Sequence, residues 1–260
     1  MNTLQKIIID KKKNLELLKR NFPITKLEKS SFFERKTYSM KEFLLKRSGI
    51  ISEFKRKSPS KSDINIDGDV IEITKGYQLA NSSGVSILTD EAYFGGKKHD
   101  FSLCRDHLFI PMLRKDFIID EYQIIESKSI GSDIILLIAS CLTTKEIKRL
   151  SKIAKSLDLE VLLEVHSEEE LNNSLNENID IIGVNNRNLK LFETDITISI
   201  DLSSAIPKEF CKISESGIST SKQIDILKNC GYDGFLIGEK FMKSNDPSKA
   251  CLKFIQSLND

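Results

Sequence analysis

Polar side chains close successive apolar runs of this 260-residue chain, and their types suit the binding and proton handling of a charged substrate. Glu53 and Lys55 end the run Gly49–Lys55, two residues apart and so on one side of an extended segment. Lys115 ends Phe109–Lys115 in phase with Pro111 and Leu113, and Glu164 stands in Leu159–Val165 in phase with Leu162. Asn185 ends Ile179–Asn185 in phase with Ile181 and Gly183, Arg187 follows it, and Glu215 ends Cys211–Glu215. Taken singly, Glu53 with Lys55 is a surface ion pair, Lys115 a solvated lysine and Glu164 a solvated carboxylate. The same placement at run after run, each polar group in phase with apolar neighbours, points instead to one shared site.

Two further run ends suit an anion. Ser214-Glu215-Ser216-Gly217-Ile218 and Leu236-Ile237-Gly238-Glu239 place glycines where backbone N–H groups can approach a phosphate, ahead of a helix start with its positive dipole end. Ordinary turn glycine is the plain alternative. Glu239 fits such a site only if its carboxylate turns away and its N–H is used.

Composition narrows the chemistry. The formal charge of +1 gives no strongly basic face for nucleic acid, and Lys11–Lys13 reads as a solvated helix face. Cys104, Cys141, Cys211, Cys230 and Cys251 are odd in number and form no CxxC pair, so buried free thiols in a reducing cytoplasm are expected. His99, His107 and His166 show no ligand spacing and read as structural or surface residues. No Ser-His-Asp order or GxSxG elbow is present. The N-terminus is too charged for a signal peptide and no apolar run spans a bilayer, which places the protein in the cytoplasm, away from membranes.

The elements that must position these groups follow from periodicity. Eight strand-like runs, Gly49–Lys55, Val85–Asp90, Phe109–Lys115, Asp133–Ala139, Leu159–Val165, Ile179–Asn185, Cys211–Glu215 and Gly234–Gly238, alternate with helical or loop material. That is the count of an α/β fold closed as a (βα)8 TIM barrel, whose chemistry lies at the C-terminal strand ends. A doubly wound open sheet is the rival, but no GxGxxG turn follows the first run. Thr143 with Glu146 and Ser167 with Glu170 have capping-box spacing, and Asp246-Pro247 fits an N-cap followed by the first helical position. Ile147, Leu150, Ile153, Ala154 and Leu157 recur at helical spacing. Within Asp195–Ile206, Ile196, Ile198 and Ile200 alternate like a strand where the sixth helix belongs. Leu4–Arg20 reads as an amphipathic helix and Ser39 with Glu42 caps a short one, so 1–48 is an N-terminal helical extension of a single 1–260 domain.

The sequence resembles the indole-3-glycerol phosphate synthase family in ordered motifs. They are Glu53-Phe54-Lys55-Arg56-Lys57-Ser58-Pro59-Ser60-Lys61, Leu88-Thr89-Asp90-Glu91-Ala92-Tyr93-Phe94-Gly95-Gly96, Leu113-Arg114-Lys115-Asp116-Phe117-Ile118-Ile119-Asp120, Leu163-Glu164-Val165-His166, Gly183-Val184-Asn185-Asn186-Arg187-Asn188-Leu189 and Ser214-Glu215-Ser216-Gly217-Ile218. Ser62 stands where the family commonly has glycine, and Asn188 where it has aspartate.

The resemblance implies tryptophan biosynthesis by a carboxy-lyase: 1-(2-carboxyphenylamino)-1-deoxyribulose 5-phosphate closes its ring, loses carbon dioxide and water, and becomes indole-3-glycerol phosphate. It further implies Lys115 as general acid, its pKa lowered by a neighbouring lysine, and Glu164 as general base, its pKa raised in a partly apolar site. Lys55 would bind the substrate carboxylate, with Glu53, Asn185 and Glu215 fixing the lysines and the substrate hydroxyls. Arg187 would contact the bound substrate. Ser58, Ser216, Gly217, Gly238 and Glu239 would surround the phosphate, and Phe94, Phe117, Leu189 and Leu236 would form the slot for the aromatic ring. No metal or organic cofactor and no macromolecular partner is implied, and a monomer is expected. Two other readings stay open, an isomerase of phosphoribosylanthranilate and a non-catalytic barrel. The isomerase chemistry generally uses a cysteine at a strand end where Glu53 and Lys55 stand here.

Overall fold

The computed structural model describes residues 3–59, 61–187 and 193–258. The chain begins with helices α1 (Thr3–Asn21), α2 (Ile24–Leu27) and α3 (Met40–Lys46), then enters the alternation that builds the barrel. It runs β1 (Ile50–Phe54), α4 (Val70–Leu79), β2 (Gly84–Leu88), α5 (Glu91–Phe94), α6 (Lys98–Arg105), β3 (Met112–Lys115), α7 (Glu121–Ser129) and β4 (Ile134–Ile138). After a 3-10 turn at Ala139–Cys141 come α8 (Thr144–Ser156), β5 (Glu160–Val165), α9 (Glu168–Ser174), β6 (Ile181–Asn185) and α10 (Thr197–Leu202). β7 (Cys211–Glu215), α11 (Ser221–Asn229), β8 (Gly234–Ile237), α12 (Glu239–Met242) and α13 (Pro247–Gln256) complete the chain. All neighbouring strands pair in parallel, and Ile50 against Phe235 closes β8 onto β1.

Two apolar layers follow from the strand period of two. One phase (Val85, Ile87, Ile135, Leu137, Val161, Leu163, Ile182, Val184) packs outward against the helices. The other (Ile51, Leu113, Ile134, Leu136, Leu162, Ile181, Ile213, Leu236) fills the barrel interior. The bottom of the barrel is stoppered by Met40 and Leu44 of α3, a helix started by Ser39, whose hydroxyl accepts from the Glu42 N–H. Glu53, Lys115, Glu164, Asn185 and Glu215 share the inward phase at the opposite end, so the strand period alone aims them into one mouth.

The local start signals were informative. Thr143 and Glu146 form a complete capping box, and Asp246 caps α13 ahead of Pro247. Thr220 and Gln223 form another that the sequence reading did not single out. The Asp195–Ile206 segment is helical at its centre, and its alternating isoleucines do not make a strand. Its fixed point is Asn186, whose Oδ1 accepts from the Ser199 N–H and hydroxyl while Nδ2 donates to Ser214 Oγ and the Ser216 carbonyl. Ser167 caps α9 through the Glu170 N–H, but Glu170 does not complete that box: its carboxylate accepts from the His166 backbone N–H at 2.7 Å.

Lys11 is a correction. It is half-buried, with Nζ 2.7 Å from both Asp90 and Asp116, so the lysine run of α1 has one member turned onto the barrel. Asp116 also takes Arg114, itself fully buried and bonded to Glu126, and thus α1 is tied to the loops after β2 and β3. Among the described residues no helix is long and apolar enough to cross a membrane.

Candidate active site

The upper mouth of the barrel holds a cavity, and the strand ends supply its polar lining: Glu53 and Lys55 from β1, Lys115 from β3, Glu164 from β5, Asn185 and Arg187 after β6, and Glu215 from β7. Phe94, Phe117 and Leu236 line the same space, as do Ser58, Ser216 and Glu239. Gly217 and Gly238 line an adjoining hollow together with Lys61 and Lys243. Leu189, and with it Asn188, lies outside the described residues.

Lys115 is the electrostatic centre. Its Nζ lies 2.8 Å from Glu164 Oε2 and 2.6 Å from Glu215 Oε2. Burial alone would lower its proton affinity, but the carboxylates of Glu164, Glu215 and Glu53 outweigh burial and raise its pKa above the ordinary value. This corrects the expectation of a lysine depressed by a second lysine. Lys55 is engaged elsewhere, 2.8 Å from Glu53 Oε1.

The two carboxyls flanking Lys115 are unequal, and in the sense opposite to the sequence expectation. Burial works to raise the pKa of Glu164, yet the Lys115 ammonium, His166 and the Asn185 amide bring it down to about 2. Asn185 Nδ2 donates to Glu164 Oε1 at 3.0 Å, and the Arg187 N–H in turn holds Asn185 Oδ1 at 3.0 Å. Glu215 has a buried Oε1 with no hydrogen-bond partner, and burial together with the Glu164 charge raises its pKa to about 7 despite Lys115. That oxygen rests on Gly183, directly across the sheet from Glu164, where any Cβ would collide with it. The absence of a side chain at Gly183 is thus a condition for Glu215 to reach Lys115.

The loops after β7 and β8 carry their own adjustments. Ser216 (φ 68°) and Gly217 (φ 77°) are both left-handed, and a Cβ at Gly217 would lie 2.8 Å from the Thr194 Cβ. The Glu239 carboxylate pairs with Lys61 and, at 2.7 Å, with Lys243, which draws it aside from the loop backbone. Lys61 entered the sequence reading only as the end of the first family motif, and Lys243, which follows the short helix α12, was not picked out.

The apolar side is wider than expected. Phe94 and Phe117 face each other with centroids 6.1 Å apart. Leu4 and Ile7 of α1 and Leu136 and Ile138 of β4 join them, so the N-terminal helix roofs the cavity. The inward alternation of Leu136 and Ile138 was the available signal for the β4 pair.

His99 and His107 are exposed, as expected of surface residues, but His166 lies at the site: Nε2 is 3.7 Å from Glu164 Oε1 and Nδ1 is 3.3 Å from Glu170 Oε2. No group of three or more His, Cys, Asp or Glu side chains among the described residues is arranged to hold a metal. Cys104, Cys211 and Cys251 are buried free thiols, while Cys141 and Cys230 are half-buried.

This geometry coincides with a family assignment made over nearly the whole chain. The sequence model of indole-3-glycerol phosphate synthase matches residues 4–254. The chain belongs to the indole-3-glycerol phosphate synthase family. A relative of that name from Bacteroides thetaiotaomicron is 43% identical over 98% of this chain and 98% of its own length. Another from Aliarcobacter butzleri is 41% identical over 98% and 99%. Solved structures agree on the fold: a chain of the tryptophan synthase complex of Pyrococcus furiosus superposes with a TM-score of 0.58 at 15% identity, covering 82% of this chain and 98% of that one. Thiamine phosphate pyrophosphorylase from the same organism gives 0.61 at 12% identity, covering 85% and 100%.

Proposed function

We propose that Lys115 and Glu164 divide the proton transfers of the family's reaction between them. The chain is a carboxy-lyase that converts 1-(2-carboxyphenylamino)-1-deoxyribulose 5-phosphate to indole-3-glycerol phosphate, with loss of carbon dioxide and water. The observation that carries the division is the placement of one half-buried ammonium between two buried carboxyls of opposite pKa shift.

The aromatic ring lies between Phe94 and Phe117 under α1, and Lys55 holds the substrate carboxylate beside it. As the ring carbon attacks the ketone, negative charge grows on the oxygen and Lys115 donates its proton there. The high proton affinity of Lys115 keeps it charged until that moment. Its loss of charge then removes the main influence holding Glu164 down, and burial makes Glu164 a stronger base for the dehydration that follows. Glu53 fixes Lys55, Asn185 fixes Glu164, and Glu215 fixes Lys115. The phosphate sits against Ser58, Ser216, Gly217, Gly238 and the Glu239 N–H, with Lys61 and Lys243 neutralising the Glu239 carboxylate nearby. Arg187 contacts the substrate from the β6 end. Supporting this placement, the two glycine loops and the proton-transfer groups border adjoining hollows.

The test is rapid quench of two variants. Lys115→Met deletes the acid, so condensation should slow by about 10²–10⁴-fold while substrate still binds. Glu164→Gln deletes the base, so a decarboxylated, still-hydrated intermediate should build up. Accumulation of that species in the Lys115 variant instead would reverse the assignment, and fluorescence of the indole product reports turnover in both.

A further inference from the structure

We propose that His166 is the proton reserve of this site: its imidazolium, held from behind by Glu170, supplies through Glu164 the proton that each turnover consumes. The inference rests on the roles assigned above to Lys115 and Glu164.

The need for a reserve follows from the balance of the reaction. The ketone oxygen takes two protons and leaves as water, while the closing ring gives one proton back to Glu164. The substrate carboxylate leaves as neutral carbon dioxide. One proton per turnover must therefore come from solvent, into a cavity roofed by α1. Glu164 can return its proton to Lys115 across their 2.8 Å contact, but that accounts for only one of the two.

His166 is placed to supply the other. Its Nε2 is buried without a hydrogen-bond partner and points toward Glu164 Oε1 at 3.7 Å, a gap that a small ring rotation closes. Its Nδ1 faces Glu170 Oε2, and the same oxygen accepts the His166 backbone N–H, so the ring is clamped on its outer side. Glu170 thus gives up the usual return bond of a capping box to grip the residue before the cap. The groups facing the ring are Glu164 from its own strand, Glu170 from α9 and Glu215 from β7. Cys141 of the 3-10 turn borders Glu164 and Glu170 and stays a neutral thiol, its pKa pushed up to about 12 chiefly by burial. Burial lowers the proton affinity of the ring, but Glu170, Glu164 and Glu215 raise it above the ordinary histidine value.

In the step itself the Nε2–H bond breaks as Glu164 gains that proton and passes it to neutral Lys115, leaving the ring neutral with Nδ1–H on Glu170. Lys115 then gives the proton to the departing hydroxyl, which leaves as water, and Glu164, again beside an uncharged lysine, takes the proton released by the closing ring. Solvent reloads Nε2 after product leaves and the half-buried ring is accessible. His166 does not touch substrate; it is a positioning residue that acts through Glu164.

The experiment is a pH profile of kcat for wild type, His166→Gln and Glu170→Gln, with KM and solvent deuterium isotope effects. In wild type kcat should fall as pH rises through the ring's pKa, because the reserve empties. In His166→Gln kcat should drop about tenfold or more with KM within about twofold. The alkaline limb should vanish, the isotope effect should grow, and added imidazole should restore rate in proportion to its concentration. Glu170→Gln should keep the limb and move it to lower pH, since a charge that raises the ring's affinity is gone. A folded His166→Gln with wild-type kcat and an unmoved limb overturns the proposal. If His166→Gln fails to fold, Glu170→Gln decides alone: an acid-shifted limb supports the reserve and an unmoved one refutes it. Loss of turnover in Glu164→Gln beside a silent His166→Gln would sink only the reserve, whereas normal turnover in Glu164→Gln would sink the base assignment beneath it.

Discussion

Glu215→Gln should make the protein more stable at pH 8 while impairing catalysis, and the amount can be worked from the site. The folded Glu215 carboxyl has its pKa raised to about 7 from an ordinary 4.5. Between those values the unfolded chain has already released the proton that the folded chain still holds, so stability falls as pH rises from about 4.5 to about 7 and is level above. At about 1.4 kcal/mol per pH unit, the ionised group costs the fold about 3 kcal/mol at pH 8. Glutamine removes that cost and keeps a carbonyl for Lys115, but it buries an amide N–H group against Gly183 and Leu162, worth about 1–2 kcal/mol in the other direction. The net gain is about 1–2 kcal/mol, or a rise in Tm of about 2–8 °C for a chain of this size. At pH 4 the wild-type carboxyl is protonated in both states, so the gain should be gone there and the sign reversed. Calorimetric melts of both proteins between pH 4 and 8 read this directly. A Tm difference that does not change with pH would refute the reasoning, because the raised pKa would then not exist.

Other outcomes follow from the same structure. Lys11→Met leaves Asp90 and Asp116 buried without their shared cation, so thermal melts should show a loss of about 3–5 kcal/mol. Gly217→Ala isolates the strain of a Cβ at φ 77° against Thr194, and Gly217→Asp adds a charge to it; titration with a phosphate-bearing product should show at least about tenfold weaker binding to the aspartate than to the alanine variant. Activity should survive exhaustive chelation and dialysis, and a loss restored by a divalent metal would count against the cofactor-free assignment.

The sequence showed the barrel because its βα units repeat one message: an apolar run of strand length, ending in five of them on a polar residue in the inward phase, and followed in most by a helix with a side-chain cap. Glu53, Lys115, Glu164, Asn185 and Glu215 were legible for that reason, since a period of two fixes which face each occupies. What depends on three-dimensional neighbours was not legible. The lysine triplet of α1 reads as solvated until the loops after β2 and β3 bring Asp90 and Asp116 to Lys11. Glu164 and Glu215 are the same residue type at equivalent strand ends, and their opposite shifts come from Asn185 and His166 on one side and an unpartnered oxygen over Gly183 on the other. The isoleucines of Asp195–Ile206 alternate by accident of composition, while Asn186, more than 9 residues upstream of that helix start, holds the segment through Ser199.

The roof formed by α1 bears on how this enzyme is handled at the bench. Thr3, Leu4 and Ile7 line the cavity at the barrel mouth, so an affinity tag or fusion partner joined ahead of them emerges at the doorway itself. The helix α13 lies against α4 on the outer wall of the barrel and offers a mooring that leaves the doorway clear.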